Sequence, residues 1–267
     1  MNYRADGCAI SKTVVTRLRA AGCVYAEDEA LLLMSSSTNA ADLAQMVDKR
    51  VAGFPLEHIF GWAEFCGLRV ALDPSVFVPR QRTEFLVGQA VALTQPGDVV
   101  VDMCCGSGAL GLVLADRIER IQLHAVDIDP AAVACARRNL HFAECIVYEG
   151  DLYDPLPIQL HNRVNVMIAN APYVPTGSIK FMPMEARVHE ARIALDGGKD
   201  GLDVQRRIVT EASRWLADGG FLLVETSERQ APLAVELFDH YGLRPKWVRS
   251  EELDANVIIG AWKERAF

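Results

Sequence analysis

The sequence predicts an α/β fold, a parallel sheet covered by helices on both faces and preceded by a small helical region. Three observations carry this. From Thr83 onward short apolar runs alternate with segments of helical spacing, the order that builds a parallel sheet. The runs are near-continuous, as in Val164 to Ala169, which marks strands buried on both faces. Finally, 51% of the 267 residues are hydrophobic, enough to bury a sizeable core and to exclude disordered or collagen-like classes.

The first fifty residues read as three short helices. Ser11 is placed to cap the first, which carries Val14, Val15, Leu18 and Ala21 on one side and stops at Gly22. Glu27-Asp28-Glu29 puts negative charge at the start of a second, through Leu31 to Met34. Thr38 opens a third, with Leu43, Met46, Val47 and Val51 at helical spacing and Gly53 and Pro55 as its stop. Ile59 to Phe65 and Leu68 to Leu72, joined through Cys66-Gly67, have the texture of a β-hairpin. Val76 to Arg80 follows as an extended segment, since Pro79 biases Val78 away from helix. These features divide the chain into a helical docking domain (1–54), a hairpin linker (55–83) and a catalytic domain (84–267).

Within the last of these, Glu84–Leu93, Leu110–Ile118, Pro130–Leu140, Val204–Leu216 and Ala231–His240 are expected helices. Asp98–Asp102, Gln122–Asp127, Glu144–Tyr148, Val164–Ala169 and Gly220–Glu225 are expected strands, with Arg244–Val248 and Asn256–Ala261 closing the sheet.

Composition narrows the function. Lys and Arg total 27 against 35 Asp and Glu, a formal charge of −8, which argues against a broad grip on nucleic acid or an anionic membrane. The longest apolar stretch, Val99 to Ala115, holds Asp102 and three glycines, unsuited to a membrane span. Met1 to Val15 carries Arg4, Asp6 and Lys12 and has no signal-peptide pattern. Seven cysteines, an odd number with Cys104 and Cys105 adjacent, point to reduced thiols and a cytoplasmic setting. No cysteine or histidine has metal-site spacing.

Val99 to Gly111 reads as a strand, a glycine-rich turn (Gly106-Ser107-Gly108) and a helix. Small residues allow close approach of backbone to ligand, and the helix start offers free amides. Asp102 ends the strand and is suited to meet an ammonium group through charge-assisted hydrogen bonds. Asp127 ends the next strand, where a ribose-binding carboxylate belongs. Further on, Asn170-Ala171-Pro172-Tyr173 sits at the carboxyl end of the Val164–Ala169 strand, the edge where open α/β sheets bind ligands.

The cofactor segment resembles the S-adenosylmethionine site of Rossmann-like, class I methyltransferases. The resemblance implies that the turn from Gly106 through Ser107 to Gly108 underlies the methionine moiety. It places Asp127 on the ribose, with Ile128 beside it, and Asp151 and Leu152 of Glu149–Leu152 at the adenine. Cys104 stands where that family usually has its first glycine, and fits if its φ is negative. Asn170–Tyr173 is similar to the Asn/Asp-Pro-Pro-Tyr motif of methyltransferases acting on a planar –NH2 group. The nitrogen lone pair of such a group is delocalised. Acceptors at Asn170 Oδ1 and the Ala171 carbonyl draw on its two N–H bonds and free the lone pair for in-line attack on a sulfonium methyl. Pro172 stiffens the turn, and the Tyr173 ring is expected against the flat substrate group.

The motif alone leaves glutamine, adenine and cytosine open. Pro55 to Phe65, with Phe77-Val78-Pro79-Arg80-Gln81-Arg82-Thr83-Glu84, resembles the HemK/PrmC family of protein glutamine methyltransferases that modify release factors. Arg82 replaces that family's usual acid, and Ala171 its second proline, as in a divergent branch. The resemblance implies S-adenosylmethionine as cofactor and a protein glutamine as acceptor, in the Gly-Gly-Gln loop of a release factor or another translation protein. No direct nucleic-acid or membrane partner is expected. By the same analogy Phe77, Pro79 and Arg80 lie over the cofactor, although Arg80 also suits an ion pair with Glu84. Phe181 and Met184 read either as apolar walls for a peptide or as core, and Ala194 to Gly201 as a glycine turn without a catalytic role. The alternatives are an adenine or cytosine amine methyltransferase acting on RNA or DNA, and a non-catalytic adaptor.

Overall fold

The computed structural model describes residues 3–141 and 144–263. Three helices open it: α1 (Tyr3–Ala20), α2 (Ala26–Ser36) and α3 (Ala40–Val51). They enclose a small core of Val14, Leu18, Ala26, Ala30, Leu33 and Val47. Two caps differ from expectation. Ser11 lies inside α1 because helix continues on its N-terminal side. Asn39, not Thr38, caps α3: its Oδ1 accepts from the Ala41 and Asp42 N–H groups, both at 3.0 Å. Thr38 instead donates its N–H to Asp42 Oδ2 at 2.8 Å.

Ile59 and Phe60 belong to a short helix, α4 (Leu56–Phe60), which a left-handed Gly61 (φ 76°) ends. The hairpin is therefore shorter than its apolar run suggests: β1 (Trp62–Phe65) pairs antiparallel with β2 (Leu68–Ala71).

The remaining elements are α5 (Thr83–Leu93), β3 (Val99–Met103), α6 (Ala109–Arg117), β4 (Gln122–Asp127), α7 (Pro130–Asn139), β5 (Cys145–Glu149), β6 (Val164–Ala169), α8 (Met184–His189), α9 (Asp203–Trp215), β7 (Leu216–Thr226), α10 (Ala231–His240), β8 (Leu243–Ser250) and β9 (Ala255–Trp262). The strands form one seven-stranded sheet in the order β5-β4-β3-β6-β7-β9-β8. The first five run parallel, and β9 enters antiparallel between β7 and β8. Alternate residues of β3 face opposite layers, as the pleat requires. Val100 packs with Leu86, Val87, Leu110 and Val113 of α5 and α6. Val101 and Met103 pack on the side of Ile208, Ala212, Ala234 and Phe238 of α9 and α10.

The chain leaves β3 for β4 on one side and later returns to place β6 on the other. That reversal opens a crevice beyond the carboxyl ends of β3 and β6. The helical region is tied to α8 by Arg50, which reaches Glu29 of α2 (2.6 Å), Glu185 of α8 (2.8 Å) and the Phe54 carbonyl (3.0 Å). Phe54 stacks at 3.9 Å on His189, at the end of α8.

Candidate functional site

The crevice holds a cleft of about 1050 Å³, open mouth included, lined from the ends of β3, β4, β5 and β6 and capped by Phe77 and Pro79. Its floor is the turn after β3. Gly106 (φ 55°) and Gly108 (φ 77°) adopt left-handed backbone, which glycine alone takes without steric cost. Cys104 also does so, with φ 58°, so the negative φ expected of it is not realised. Its Cβ crowds the following carbonyl at a cost of about 1–2 kcal/mol. Cys104→Val, of similar bulk but β-branched, is expected to destabilise the fold by about 1–2 kcal/mol in chemical unfolding.

Asp127 holds the turn from the β4 side. Its Oδ2 accepts from the Gly106 N–H at 2.8 Å and its Oδ1 from the Asp129 N–H at 2.9 Å. Burial pushes this carboxyl up, while the backbone donors pull it down. Each oxygen keeps a lone pair, and the carboxyl lines the cleft. Ile128, half-exposed beside it, and Gly150, Asp151 and Leu152 complete that wall. Arg207 crosses to Asp151 at 2.8 Å.

Asp102 is a correction. It is wholly buried and absent from the cleft lining, because the pleat turns it towards α6 while Met103 faces the cleft. Its Oδ2 accepts from the Gly111 N–H at 3.0 Å and Oδ1 has no partner. Burial pushes the carboxyl up to about 7, so it serves the strand–helix joint rather than an external ammonium. Gly108 is likewise structural: a Cβ there would lie 3.0 Å from Leu140 and 3.2 Å from Ala136.

Arg80 also lies outside the lining. Both its contacts are with the buried carboxylate of Glu190, at 2.6 and 2.7 Å, and its guanidinium sits 4.8 Å from the Phe77 ring centroid. It steadies Phe77 from behind. The expected partner, Glu84, accepts instead from the Cys66 N–H at 3.1 Å.

At the other wall, Asn170 follows β6 directly. Its Nδ2 donates to Thr83 Oγ1 at 3.2 Å, which leaves Oδ1 for the cleft that Asn170 and Pro172 line. Ala171 is buried. Tyr173 does not present its ring to the cleft. Its hydroxyl donates to Glu225 Oε1 at 3.0 Å, its carbonyl accepts from Gln230 Nε2 at 2.9 Å, and burial raises its phenol. The Gly197–Gly201 turn braces the motif from behind: Val174 bonds Leu195 (3.0 Å) and Gly197 (2.9 Å).

Thr83, Met103, Ile193, Val204 and Arg207 line the cleft without a local signal in the sequence. Thr83 alone was within reach, since it stands in the Pro79–Glu84 segment. Phe181 and Met184, 78% and 52% exposed, are surface and not core. The site thus offers hydrogen-bond acceptors and a shaped wall but no activated nucleophile. Burial holds the Cys104 and Cys105 thiols protonated, well above the usual range.

Residues 81–201 match the methyltransferase small domain family. A release factor glutamine methyltransferase of Geobacter sulfurreducens is 38% identical over 217 residues, 80% of this chain and 75% of that one. A ribosomal protein uL3 glutamine methyltransferase of Burkholderia pseudomallei is 36% identical over 231 residues, 82% of this chain and 74% of that one. Among solved structures, a T. thermophilus 16S rRNA methyltransferase in complex with AdoMet and guanosine superposes with a TM-score of 0.54 at 17% identity. That match covers 76% of this chain and 50% of that one, and shows the shared fold.

Proposed function

The chain belongs to the HemK/PrmC family of protein glutamine methyltransferases, and from that premise we propose that it methylates a glutamine side-chain amide of a release factor, using S-adenosylmethionine. The observation that carries the reading is Asn170: its amide nitrogen is tied to Thr83 and its oxygen is left to the cleft that Gly106 and Ser107 also line.

The residues present fit the cofactor. Gly106, Ser107 and Asp127 would hold its amino-acid and ribose portions, and Ile128, Asp151 and Leu152 its base, with Phe77 and Pro79 above. When bound, S-adenosylmethionine supplies a sulfonium methyl. Asn170 Oδ1 and the Ala171 carbonyl accept the two N–H bonds of the substrate amide and turn its lone pair towards that methyl. Orientation and placed dipoles then account for the rate. A methylated amide nitrogen still carrying its extra proton would be strongly acidic and would give that proton to water, so no strong base would be required. Asp127→Ala is expected to weaken S-adenosylmethionine at least about tenfold by calorimetry, a loss of about 1.4 kcal/mol. It removes an acceptor and also releases the Gly106 and Asp129 amides.

A protein substrate suits the rim of the cleft. Phe181, Met184, Val188 and Ile193 are exposed along one segment after the motif, and Ile193 reaches the cleft itself. A nucleic-acid track is disfavoured because several arginines are already engaged. Arg138 pairs with Asp73, Arg206 with Asp200 and Asp203, and Arg207 with Asp151. No helix among the described residues is long and apolar enough to cross a membrane, and the cytoplasm, where translation factors act, is the proposed setting. Incubation with methyl-labelled S-adenosylmethionine and purified release factors, with uL3 and ribosomal RNA in parallel, tests the reading. Label is expected on the glutamine of a Gly-Gly-Gln loop by mass spectrometry; label confined to RNA would overturn it, and label on uL3 alone would move the target.

A further inference from the structure

We propose that Thr83 and Glu225 form a positioning relay that determines which end of the Asn170 side-chain amide faces the substrate, a role that rests on the planar-amine reading above. Glu225, next to last in β7, has its side chain 2% exposed. Its Oε1 accepts from the Tyr173 hydroxyl at 3.0 Å and lies 3.8 Å from Arg82 Nε. Its Oε2 is buried without a bonded partner, and Thr83, itself fully buried, is among the groups that favour this carboxylate's charged form; the relay pairs the Thr83 hydroxyl proton with that oxygen.

The direction of the bonds follows from what each group is able to give. A carboxylate only accepts, whereas a hydroxyl has one proton and two lone pairs. In the relay Thr83 directs its proton at Glu225, which leaves only lone pairs for Asn170. The group 3.2 Å away must then be the amide nitrogen and not the oxygen. Asn170 is thereby locked with Oδ1 outward. The flipped amide would set N–H groups against the N–H groups of a substrate amine and leave the clamp without its acceptor. Thr83, Glu225 and Asn170 lie on α5, β7 and the end of β6, so the relay joins three elements. Glu225 is opposed by burial and supported by the Thr83 and Tyr173 hydroxyls, Arg82 and Arg80. Loss of its charge at acid pH would free Thr83 to reverse its bond, so activity should fall on the acid side.

Thr83 is a positioning residue, and two substitutions separate this role from packing. Thr83→Val keeps the shape and removes the hydroxyl, while Thr83→Ser keeps the hydroxyl. With S-adenosylmethionine and a purified release factor, Thr83→Val should lower kcat about 10- to 100-fold with cofactor Kd within about threefold, and Thr83→Ser should stay within about threefold of the parent. Equal losses in both variants, an unchanged kcat in Thr83→Val, or a loss confined to cofactor binding would overturn the relay. A second readout needs no target protein: the side-chain amide of Asn170, followed by ¹⁵N NMR and assigned with Asn170→Asp. One of its protons should be protected from exchange in the parent and Thr83→Ser and unprotected in Thr83→Val. Free exchange of both protons in the parent would refute the relay even if the acceptor were another amine; failure to label any glutamine would instead refute the proposed reaction alone.

Discussion

Asn170→Ala is expected to slow methyl transfer about 100-fold, equivalent to about 3 kcal/mol in the barrier, while leaving S-adenosylmethionine affinity within about threefold. The reasoning is geometric. Asn170 Oδ1 is the side-chain acceptor at the cleft edge of β6, and its partner in the proposed clamp is a backbone carbonyl that no substitution deletes. With one acceptor gone the substrate amide keeps its conjugation and is free to rotate, so the loss should appear in the chemical step. The cofactor floor is built by Gly106, Asp127 and Asp129, from other strands, and should persist. Single-turnover rates and calorimetric titration separate the two quantities. A parallel collapse of both would show that Asn170 supports the cleft and not the chemistry.

Gly197→Ala is expected to be nearly as damaging from outside the cleft. A Cβ at Gly197 would lie 2.6 Å from the Pro172 carbonyl oxygen, 2.6 Å from that of Gly201 and 2.8 Å from the Tyr173 Cα. All three obstacles are backbone, so the motif itself must move. Overpacking of this kind costs about 1–3 kcal/mol of stability, and a displacement near 1 Å at a reacting group costs about 100-fold in rate. The variant should therefore unfold at lower denaturant and lose about two orders of magnitude in kcat. Gly177→Ala, where a Cβ meets nothing within 4 Å, should change stability by less than about 0.5 kcal/mol. If the two behave alike, the glycine turn does not brace the motif.

Much of the architecture was legible because its signals are local. Strands β4 and β6 and helix α10 match the expected bounds residue for residue, and the other helices and strands expected from Glu84 onward differ by one to four residues at their ends; α1 begins eight residues before the expected Ser11 cap, and α4 and α8 were not expected. The turn after β3 and the Asn170–Tyr173 segment stand where the sequence places them, at the carboxyl edge of the sheet. Misreadings came where two local preferences competed. Ile59 and Phe60 are β-formers by type, but Pro55 and Gly61 bound them into a helical turn. Asn39 displaced Thr38 as a cap because its longer amide reaches two backbone donors.

Side-chain roles were less legible, because they are settled by partners far along the chain. Arg80 prefers Glu190, 110 residues away, to Glu84 on the next turn. Asp102 turns to α6, Tyr173 to Glu225, and Thr83 to an asparagine 87 residues distant. Periodicity and turn chemistry act within a few residues, so composition and order alone specify the α/β class, the glycine floor and the planar-amine motif. Which lone pair or proton each polar group presents depends on what the fold packs against it, since a buried donor or acceptor must find a partner wherever the folded chain supplies one.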